Sequence, residues 1–235
     1  MSPRVDSCTI AASTIATKVV AMPLKTARTT VKRLPKRASY DFDTVAAILD
    51  AGFLCHVGFV ADGQPYVIPT GFGRDGKTLY FHGSSVSRTV KTLADGVPMC
   101  LTVTHLDGLV LARSGFHSSM NYRAVVVLGK ARTIDDREEK LHALEVISEQ
   151  ILAGRWAEIR GPSRKELNGT TVLALPIEEA SAKIRTGPPI DDEEDYAMPV
   201  WAGVLPLKVK PGTPLPDDRL PATIEPPKYL KKARA

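Results

Sequence analysis

The feature that most constrains the fold is a pair of Asp-Gly dipeptides between short β-type segments. Asp62-Gly63 and Asp75-Gly76 separate three runs rich in β-branched and aromatic residues, at 53–60, 66–72 and 78–82. The second residue of such a dipeptide accepts the positive φ that a two-residue hairpin turn needs. The sequence therefore predicts two consecutive hairpins, which make three antiparallel strands into a meander.

More strands and three helices are predicted around this meander. Strand-like runs lie at 98–105, 109–113, 122–134 and 169–176, the last with an extension through 182–185. The run Val125–Leu128 is apolar throughout, which predicts a strand buried on both faces. Helical spacing of apolar residues predicts helices at 41–50, capped by Asp41, at 86–95 and at 135–152. The pattern is typical of a mainly β (β+α) fold, a six-stranded antiparallel β-barrel with flanking helices.

The composition changes at both ends of the chain. We expect a flexible basic arm at 1–27, the barrel domain at 28–185, an extended segment at 186–210 and a disordered tail at 211–235. The segment Pro199–Leu207 is too apolar to remain in solvent, so it should pack on the body or on a partner subunit. The arm has the composition of an organelle transit peptide, and a translation start at Met22 is an alternative.

The charge distribution argues against specific nucleic-acid binding. The net charge is +5, but residues 1–40 carry +7, so the remaining 195 residues carry −2. A near-neutral body lacks the basic stripe of a nucleic-acid groove. No apolar run reaches the roughly 18 residues of a membrane-spanning helix. Three cysteines without C-x-x-C spacing favour a reducing cytoplasm and neither a disulfide framework nor a zinc site, and no metal is expected.

The segment 79–93 is the strongest candidate for a binding site. A predicted strand ends at His82, a turn with Gly83 and Ser84 follows, and a helix begins near Ser87 and Arg88. Hydroxyl donors and a guanidinium beside exposed backbone N–H groups suit a phosphate. A Ser-capped helix without a ligand has the same pattern. Two companion segments, 66–72 with Pro69 in a strand and the polar loop 113–123, favour a ligand nearby.

Several ordered blocks resemble one family. The segments 62–70, 79–84, 107–114 and 120–131, together with Lys183–Pro189 and Trp201–Leu207, resemble the pyridoxamine 5'-phosphate oxidase-like superfamily. Within it they are most similar to the flavin-nucleotide-binding branch that includes nitroimidazole-resistance proteins. The resemblance covers about residues 28–207 and implies a split β-barrel, a homodimer, and FMN in a groove at the subunit interface.

The resemblance also implies which residues bind FMN. Ile68, Pro69 and Thr70 would face the flavin ring, which Phe81 and His82 would flank. Ser84, Ser87 and Arg88 would hold the phosphate, and Ser119, Asn121 and Tyr122 would approach the cofactor from a neighbouring strand. The oxidases carry two successive basic residues where this chain has Ser87-Arg88, so Arg123 or an arginine of the other subunit is the candidate for the missing charge. The oxidases' C-terminal segment for recognising the vitamin is not recognisable here.

The function expected from these features is that of an FMN-dependent oxidoreductase that reduces a small electron-poor substrate. In such an enzyme the cofactor does the difficult chemistry, so no catalytic triad is needed. His82 is the one candidate catalytic residue. One alternative is a flavin carrier or sensor without turnover. Another is haem or a deazaflavin in the same groove, with His56, His82 and His105 as candidate axial ligands of haem.

Overall fold

Ten strands form one sheet in the computed structural model, which describes residues 24–232. In chain order they are β1 (Ala38–Ser39), β2 (Leu54–Ala61), β3 (Gln64–Asp75), β4 (Thr78–Ser84), β5 (Met99–Leu111), β6 (Ser119–Gly129), β7 (Arg132–Thr133), β8 (Thr170–Pro176), β9 (Glu179–Arg185) and β10 (Gly203–Pro206). The neighbours in the sheet are β1-β9-β6-β5-β2-β3-β4-β8-β7, with β10 paired to β5. The sheet is antiparallel and does not close, and the predicted mainly β fold class is confirmed.

Four α-helices flank the sheet in the described part of the chain: α1 (Phe42–Asp50), α2 (Arg88–Ala94), α3 (Arg137–Ile151) and α4 (Arg164–Gly169). Asp41 caps α1 as predicted, because its carboxylate accepts a hydrogen bond from the Thr44 backbone N–H at 2.8 Å. The sequence did not predict α4. It begins with a capping box in which Ser163 and Glu166 satisfy each other's backbone N–H groups.

The two predicted hairpins form as expected. Asp62 and Gly63 have φ of 51° and 77°, and Gly76 has φ of 52°. They join β2 to β3 and β3 to β4. β3 pairs with β2 through residues 64–71 and with β4 only through residues 72–75, so it crosses from one half of the sheet to the other. This crossing opens the barrel between the first part of β3 and the end of β4.

The core lies between the two halves of the sheet. Fully buried side chains from several strands meet there, including Phe72, Leu79, Leu101 and Leu173, and α1 adds Val45 and Leu49. α3 packs on the other side of β4 and β8 through Ala143 and Ile147. At Gly73 a Cβ atom would lie 2.7 Å from the Val146 backbone, so only glycine allows α3 to pack this closely on β3.

Four sequence predictions differ from the observed strands. The predicted extension of strand 169–176 through 182–185 is a separate strand, because β8 pairs with β4 whereas β9 pairs with β6. The predicted strands 98–105 and 109–113 are one strand, β5, with a register shift between Leu106 and Gly108. The predicted strand 122–134 divides into β6 and β7, because β7 pairs with β8 instead of continuing beside β5. Burial of Val125–Leu128 on both faces is wrong for the single chain. Val125 and Val127 are fully buried, whereas Val126 and Leu128 are half-buried on the outer face.

The first and last described residues lie on the body. Of the predicted arm 1–27, residues 1–23 lie outside the described part of the chain. Leu24 is buried, and its carbonyl accepts a hydrogen bond from the Ala180 N–H at 3.1 Å. The segment 186–206 lies on the body and ends in β10. The tail, expected to be disordered, is described through residue 232, and Tyr229 donates a hydrogen bond to Glu158. Residues 233–235 lie outside the described part.

Candidate functional site

The opening between β3 and β4 contains the first group of predicted site residues. The two strands separate beyond the pair Phe72–Phe81, so residues 68–70 lie on one side of the opening and residues 82–84 on the other. Ile68 and Pro69 are exposed, and Thr70 is half-buried. The edge of β3 that faces away from β2 has no strand partner at residues 64–71 among the described residues. A flat ligand could therefore approach the backbone there.

The predicted phosphate residues lie at the end of β4 and the start of α2. The Ser87 Oγ accepts a hydrogen bond from the Val90 N–H at 3.3 Å and caps α2, while its own O–H remains able to donate. The guanidinium of Arg88 lies 4.9 Å from the centre of the Tyr66 ring on β3 and forms no ion pair with any described carboxylate. Ser84 and Arg88 are exposed. Arg88 thus bridges the opening with an unneutralised positive charge.

Phe81 and His82 face opposite sides of β4. The Phe81 side chain is 2% exposed and belongs to the core, so only its backbone can contact a ligand in the opening. The protein atoms around the His82 ring lower its pKa, although part of its surface is exposed. His82 is therefore neutral at neutral pH and can accept a hydrogen bond through one ring nitrogen.

The second group of predicted site residues lies on β6, and two strands, β5 and β2, separate it from β3. Ser119 is exposed and Tyr122 is half-buried. The amide of Asn121 is buried, accepting a hydrogen bond from Arg185 and donating one to the Gly187 carbonyl. Neighbouring strands are about 4.8 Å apart, so a single chain does not bring β6 to the opening.

Arg123 also lies apart from the phosphate residues. Its Nε and Nη2 atoms donate to the Asp107 carboxylate at 2.9 and 2.8 Å, and this interaction raises its pKa. The Arg123 charge is therefore already neutralised by a carboxylate. Within one chain it does not supply the second positive charge beside Ser87 and Arg88.

A second concavity, which we call the β5 groove, lies where β5 lacks a neighbour. β2 pairs with β5 only up to Thr102, and the Leu207 N–H contacts the Asp107 carbonyl at 3.0 Å, which leaves a gap along residues 103–106. The gap opens into a groove of about 560 Å³. Its lining is residues 51–54 and His56 on one wall, Thr104–Asp107 and Arg123 as the floor, and Leu207–Lys210 on the other wall.

The two histidines of the β5 groove have different environments. The Nε2 atom of His105 lies 2.9 Å from the Ile48 carbonyl, to which it donates a hydrogen bond. His56 lies on the exposed face of β2, and no hydrogen bond between described residues involves its ring. The sequence did not predict the wall from the C-terminal segment. The alternation Leu207-Lys-Val-Lys210 is a signal that could have indicated an extended, one-sided basic edge.

Two features are absent from the described residues. No group of three or more His, Cys, Asp and Glu side chains between residues 24 and 232 is arranged to hold a metal ion. In the same part of the chain, none of the helices combines the length and the apolarity needed to cross a bilayer.

Residues 41–184 match the sequence model of a family described as pyridoxamine 5'-phosphate oxidase. A search of the curated proteins finds no match. The flavocytochrome Anf3 of Azotobacter vinelandii is a similar solved structure, with 45% identity, coverage of 89% of this chain and 97% of that chain, and a TM-score of 0.84. The FAD and haem binding protein of Mycobacterium smegmatis has 38% identity, coverage of 84% and 97%, and a TM-score of 0.80.

A more distant similarity is to a candidate 5-nitroimidazole antibiotic resistance protein of Bacteroides thetaiotaomicron. It has 26% identity, coverage of 63% of this chain and 86% of that chain, and a TM-score of 0.53. The similarity to the first two structures thus covers more of this chain than the family match does.

Proposed function

This chain belongs to the pyridoxamine 5'-phosphate oxidase family, and from that premise we propose that it binds a flavin nucleotide in the opening between β3 and β4 and acts as an oxidoreductase. The observation that carries the proposal is the unpaired Arg88 guanidinium, which bridges the opening beside the hydroxyls of Ser84 and Ser87. Two relatives that are 45% and 38% identical are described as a flavocytochrome and as an FAD and haem binding protein, which supports a flavin.

The residues at the opening fit a flavin nucleotide. A phosphate needs positive charge and hydrogen-bond donors, which Arg88, Ser84 and Ser87 offer. The ring system needs an apolar surface with accessible backbone groups. Ile68 and Pro69 are exposed and apolar, and the edge of β3 that faces away from β2 has no strand partner at residues 64–71 in the described part of the chain. The Phe81 side chain lies in the core, so we propose that it supports β4 behind the ring.

FMN is the form that we propose, because the residues at the opening account for one ring and one phosphate. FAD is the second candidate, favoured by the Mycobacterium smegmatis relative, whose description names FAD. Both contain the same ring and first phosphate, so Arg88 and Ser84 would serve either. The adenosine part of FAD would need further contacts outside this opening.

A second copy of the chain would complete the flavin site. Ser119, Tyr122 and Arg123 lie two strands away from the opening within one chain, so they can contribute only from a partner. The outer face of β2, β3, β5 and β6, outside the β5 groove, exposes a set of apolar side chains, namely Val60, Val67, Leu109, Leu111 and Met120. An apolar face of this extent is typical of an interface. We therefore propose a homodimer with the flavin between its subunits.

The bound flavin would supply hydride transfer, and the protein's residues would bind and orient it. His82 is neutral at neutral pH, since its pKa is lowered, so it would accept a hydrogen bond from a cofactor or substrate donor. The substrate of this proposal is a small electron-poor molecule. Turnover of reduced nicotinamide with a quinone or nitroaromatic acceptor separates this enzyme from a flavin carrier, which would give none.

Haem binding is a second candidate function, and the β5 groove favours it. Two relatives with 45% and 38% identity are described as a flavocytochrome and as an FAD and haem binding protein. The groove has the volume of a cofactor site and contains apolar residues, two histidines and two lysines. A haem would need few protein ligands, because its porphyrin itself binds the iron, so the absence of a three-residue metal cluster in residues 24–232 is compatible with it.

The test is the absorption spectrum of the purified full chain, followed by mass analysis of the released cofactor. A flavin band with the mass of FMN supports the proposal, and the mass of FAD selects the second candidate. A colourless protein that takes up neither added FMN nor added FAD overturns flavin binding. A Soret band in the purified protein, or a shift of the Soret band of added hemin, tests haem separately.

A further inference from the structure

We propose that His56 is the axial ligand of a haem in the β5 groove, whose propionates are held by Lys208 and Lys210. This inference rests on the haem binding proposed above. His56 projects from the exposed face of β2 and lines the groove, and no described hydrogen bond involves its ring. An imidazole of this kind keeps a lone pair for iron.

The other four histidines are less suitable as ligands. His105 shares the groove, but its Nε2 atom donates to the Ile48 carbonyl at 2.9 Å, so iron binding there would break that bond. His117 contacts Asp192 at 3.2 Å and His142 contacts Asp75 at 2.9 Å, both away from the groove lining. His82 lies on β4, which β3 and β2 separate from β5. The groove therefore offers one unengaged imidazole.

The groove has the chemistry of a flat apolar ligand with carboxylates at one edge. Phe53, Leu54 and Leu106 are exposed apolar side chains that the ring would cover. Because residues 103–106 have no strand neighbour on the side of β2 and β10, a planar ligand could enter between β2 and the wall formed by residues 207–210.

The positive charge of the groove lies on its outer wall. Lys208 and Lys210 both line the groove, and both are exposed. Arg123 is the other cation of the lining, but Asp107 neutralises it. Two ammonium groups on one wall match the two carboxylates of a porphyrin. A neutral apolar ligand would gain nothing from them.

The experiment is a titration of the full chain with hemin, followed by absorption in the Soret region. His56→Ala should lower the hemin affinity at least about tenfold, because losing even an outer partner of a metal ligand typically costs about 10–100-fold. The histidine-ligated Soret band should disappear in this variant and return on addition of free imidazole. His105→Gln, which keeps a hydrogen-bond donor, should retain the band. His56 is exposed, so the variant should fold, and its circular dichroism spectrum checks this.

A second variant tests whether Lys208 and Lys210 hold the propionates. Changing both Lys208 and Lys210 to Gln should lower hemin affinity about two- to tenfold, since exposed ion pairs contribute little each, and should leave the Soret position unchanged. The affinity for haem dimethyl ester, which lacks the carboxylates, should not change in this variant. Equal losses for both probes overturn the role of the lysines.

The outcomes distinguish haem binding itself from the assignment of His56 as the ligand. If wild-type protein neither shifts nor sharpens the Soret band of added hemin, haem binding itself is wrong. If wild-type protein gives the band and His56→Ala retains the same affinity and band, the assignment of His56 is wrong while haem binding stands. Loss of the band in His105→Gln alone would transfer the assignment to His105.

Discussion

Arg88 is the residue on which the proposed flavin site most depends, because its guanidinium is exposed and has no carboxylate partner among the described residues. Arg88→Ala should weaken flavin binding about 10- to 100-fold, since a charge-assisted hydrogen bond contributes about 1.5–3 kcal/mol. Quenching of flavin fluorescence during titration measures this change. Changing Ser87 as well would also remove the cap of α2, so the single Arg88 variant is the cleaner test.

The matched control is Lys91→Ala. Lys91 is exposed, carries the same charge as Arg88 and lies one turn further along α2 from the Ser87 cap. Its loss should change flavin affinity less than about twofold. Equal effects of the two substitutions would indicate a general electrostatic attraction and would contradict a phosphate site at Arg88.

Ionisation of the Cys55 thiol should make the free energy of unfolding depend on pH. Burial in the core raises the pKa of its thiol from 9.0 to about 12. Because the folded-state pKa is the higher one, the thiol's contribution to the free energy of unfolding is complete below about pH 9 and is lost as the pH rises towards 12. The difference in urea midpoint between wild type and Cys55→Ala should therefore stay constant up to about pH 9 and shrink above it. A constant difference up to about pH 11 would contradict this.

At the scale of single residues, the sequence blocks named residues on both sides of the opening, but they did not predict which way each side chain points, and four of the named residues lie on β6, away from the opening. Alternation along β4 places Phe81 in the core and His82 on the opposite face, and this depends on which face of β4 packs with α1 and which with α3. The partner of Arg123 also could not be predicted. Asp107 comes beside it only because the register shift in β5 places Asp107 next to β6.

At the scale of elements, the hairpins were predictable because each turn needs local positive φ, whereas the length of β5 was not. Asp107-Gly108 has the same letters as the two hairpin turns, yet it lies inside a strand. A Cβ atom on Gly108 would come 3.1 Å from the Leu205 carbonyl oxygen, so this glycine serves the close approach of β10. Pairing with β10 and β6, which are distant in the sequence, therefore places Asp107-Gly108 in a strand, whereas the local sequence alone would favour a turn.

The C-terminal segment is fastened to the body by a buried ion pair. The Asp191 carboxylate, whose side chain is 0% exposed, accepts hydrogen bonds from the Arg113 backbone N–H at 3.0 Å and from its Nη1 atom at 3.1 Å. Asp191→Ala should lower the free energy of unfolding by about 2–4 kcal/mol, because it leaves a largely buried Arg113 charge without its partner. Denaturant unfolding measures the loss, and limited proteolysis should cut more rapidly near residues 196–201.

The neighbouring Asp192→Ala is the control for this pair. Asp192 is exposed and contacts His117 at 3.2 Å, so its removal should cost less than about 1 kcal/mol and leave the proteolysis rate unchanged. If both substitutions cost the same, the burial of Asp191 would not be what holds the segment.

At the scale of the whole molecule, the family resemblance inferred from ordered blocks is confirmed, and so is the antiparallel split-barrel fold. These sequence blocks predict the fold because each of them encodes a turn or a strand edge that only certain residues can form without steric clashes. The β5 groove was not predicted as a cavity, since its two walls lie about 150 residues apart in the chain. Only the pairing of β10 with β5 brings them together.

The exposed apolar face of β2, β3, β5 and β6 belongs to this largest scale, and it gives the prediction for the dimer. Val67 is 66% exposed on that face, so Val67→Asp would place an unpaired carboxylate in the proposed interface and should weaken association by several kcal/mol. Sedimentation should then show a monomer where the wild type is a dimer. Flavin affinity should fall with it, because Ser119 and Tyr122 of the other subunit would be lost from the site.

Leu215→Asp, at a position that is 91% exposed outside this face, should change neither property. A wild-type protein that sediments as a monomer while binding flavin tightly would show that one chain suffices, and the residues on β6 would then have no part in the site.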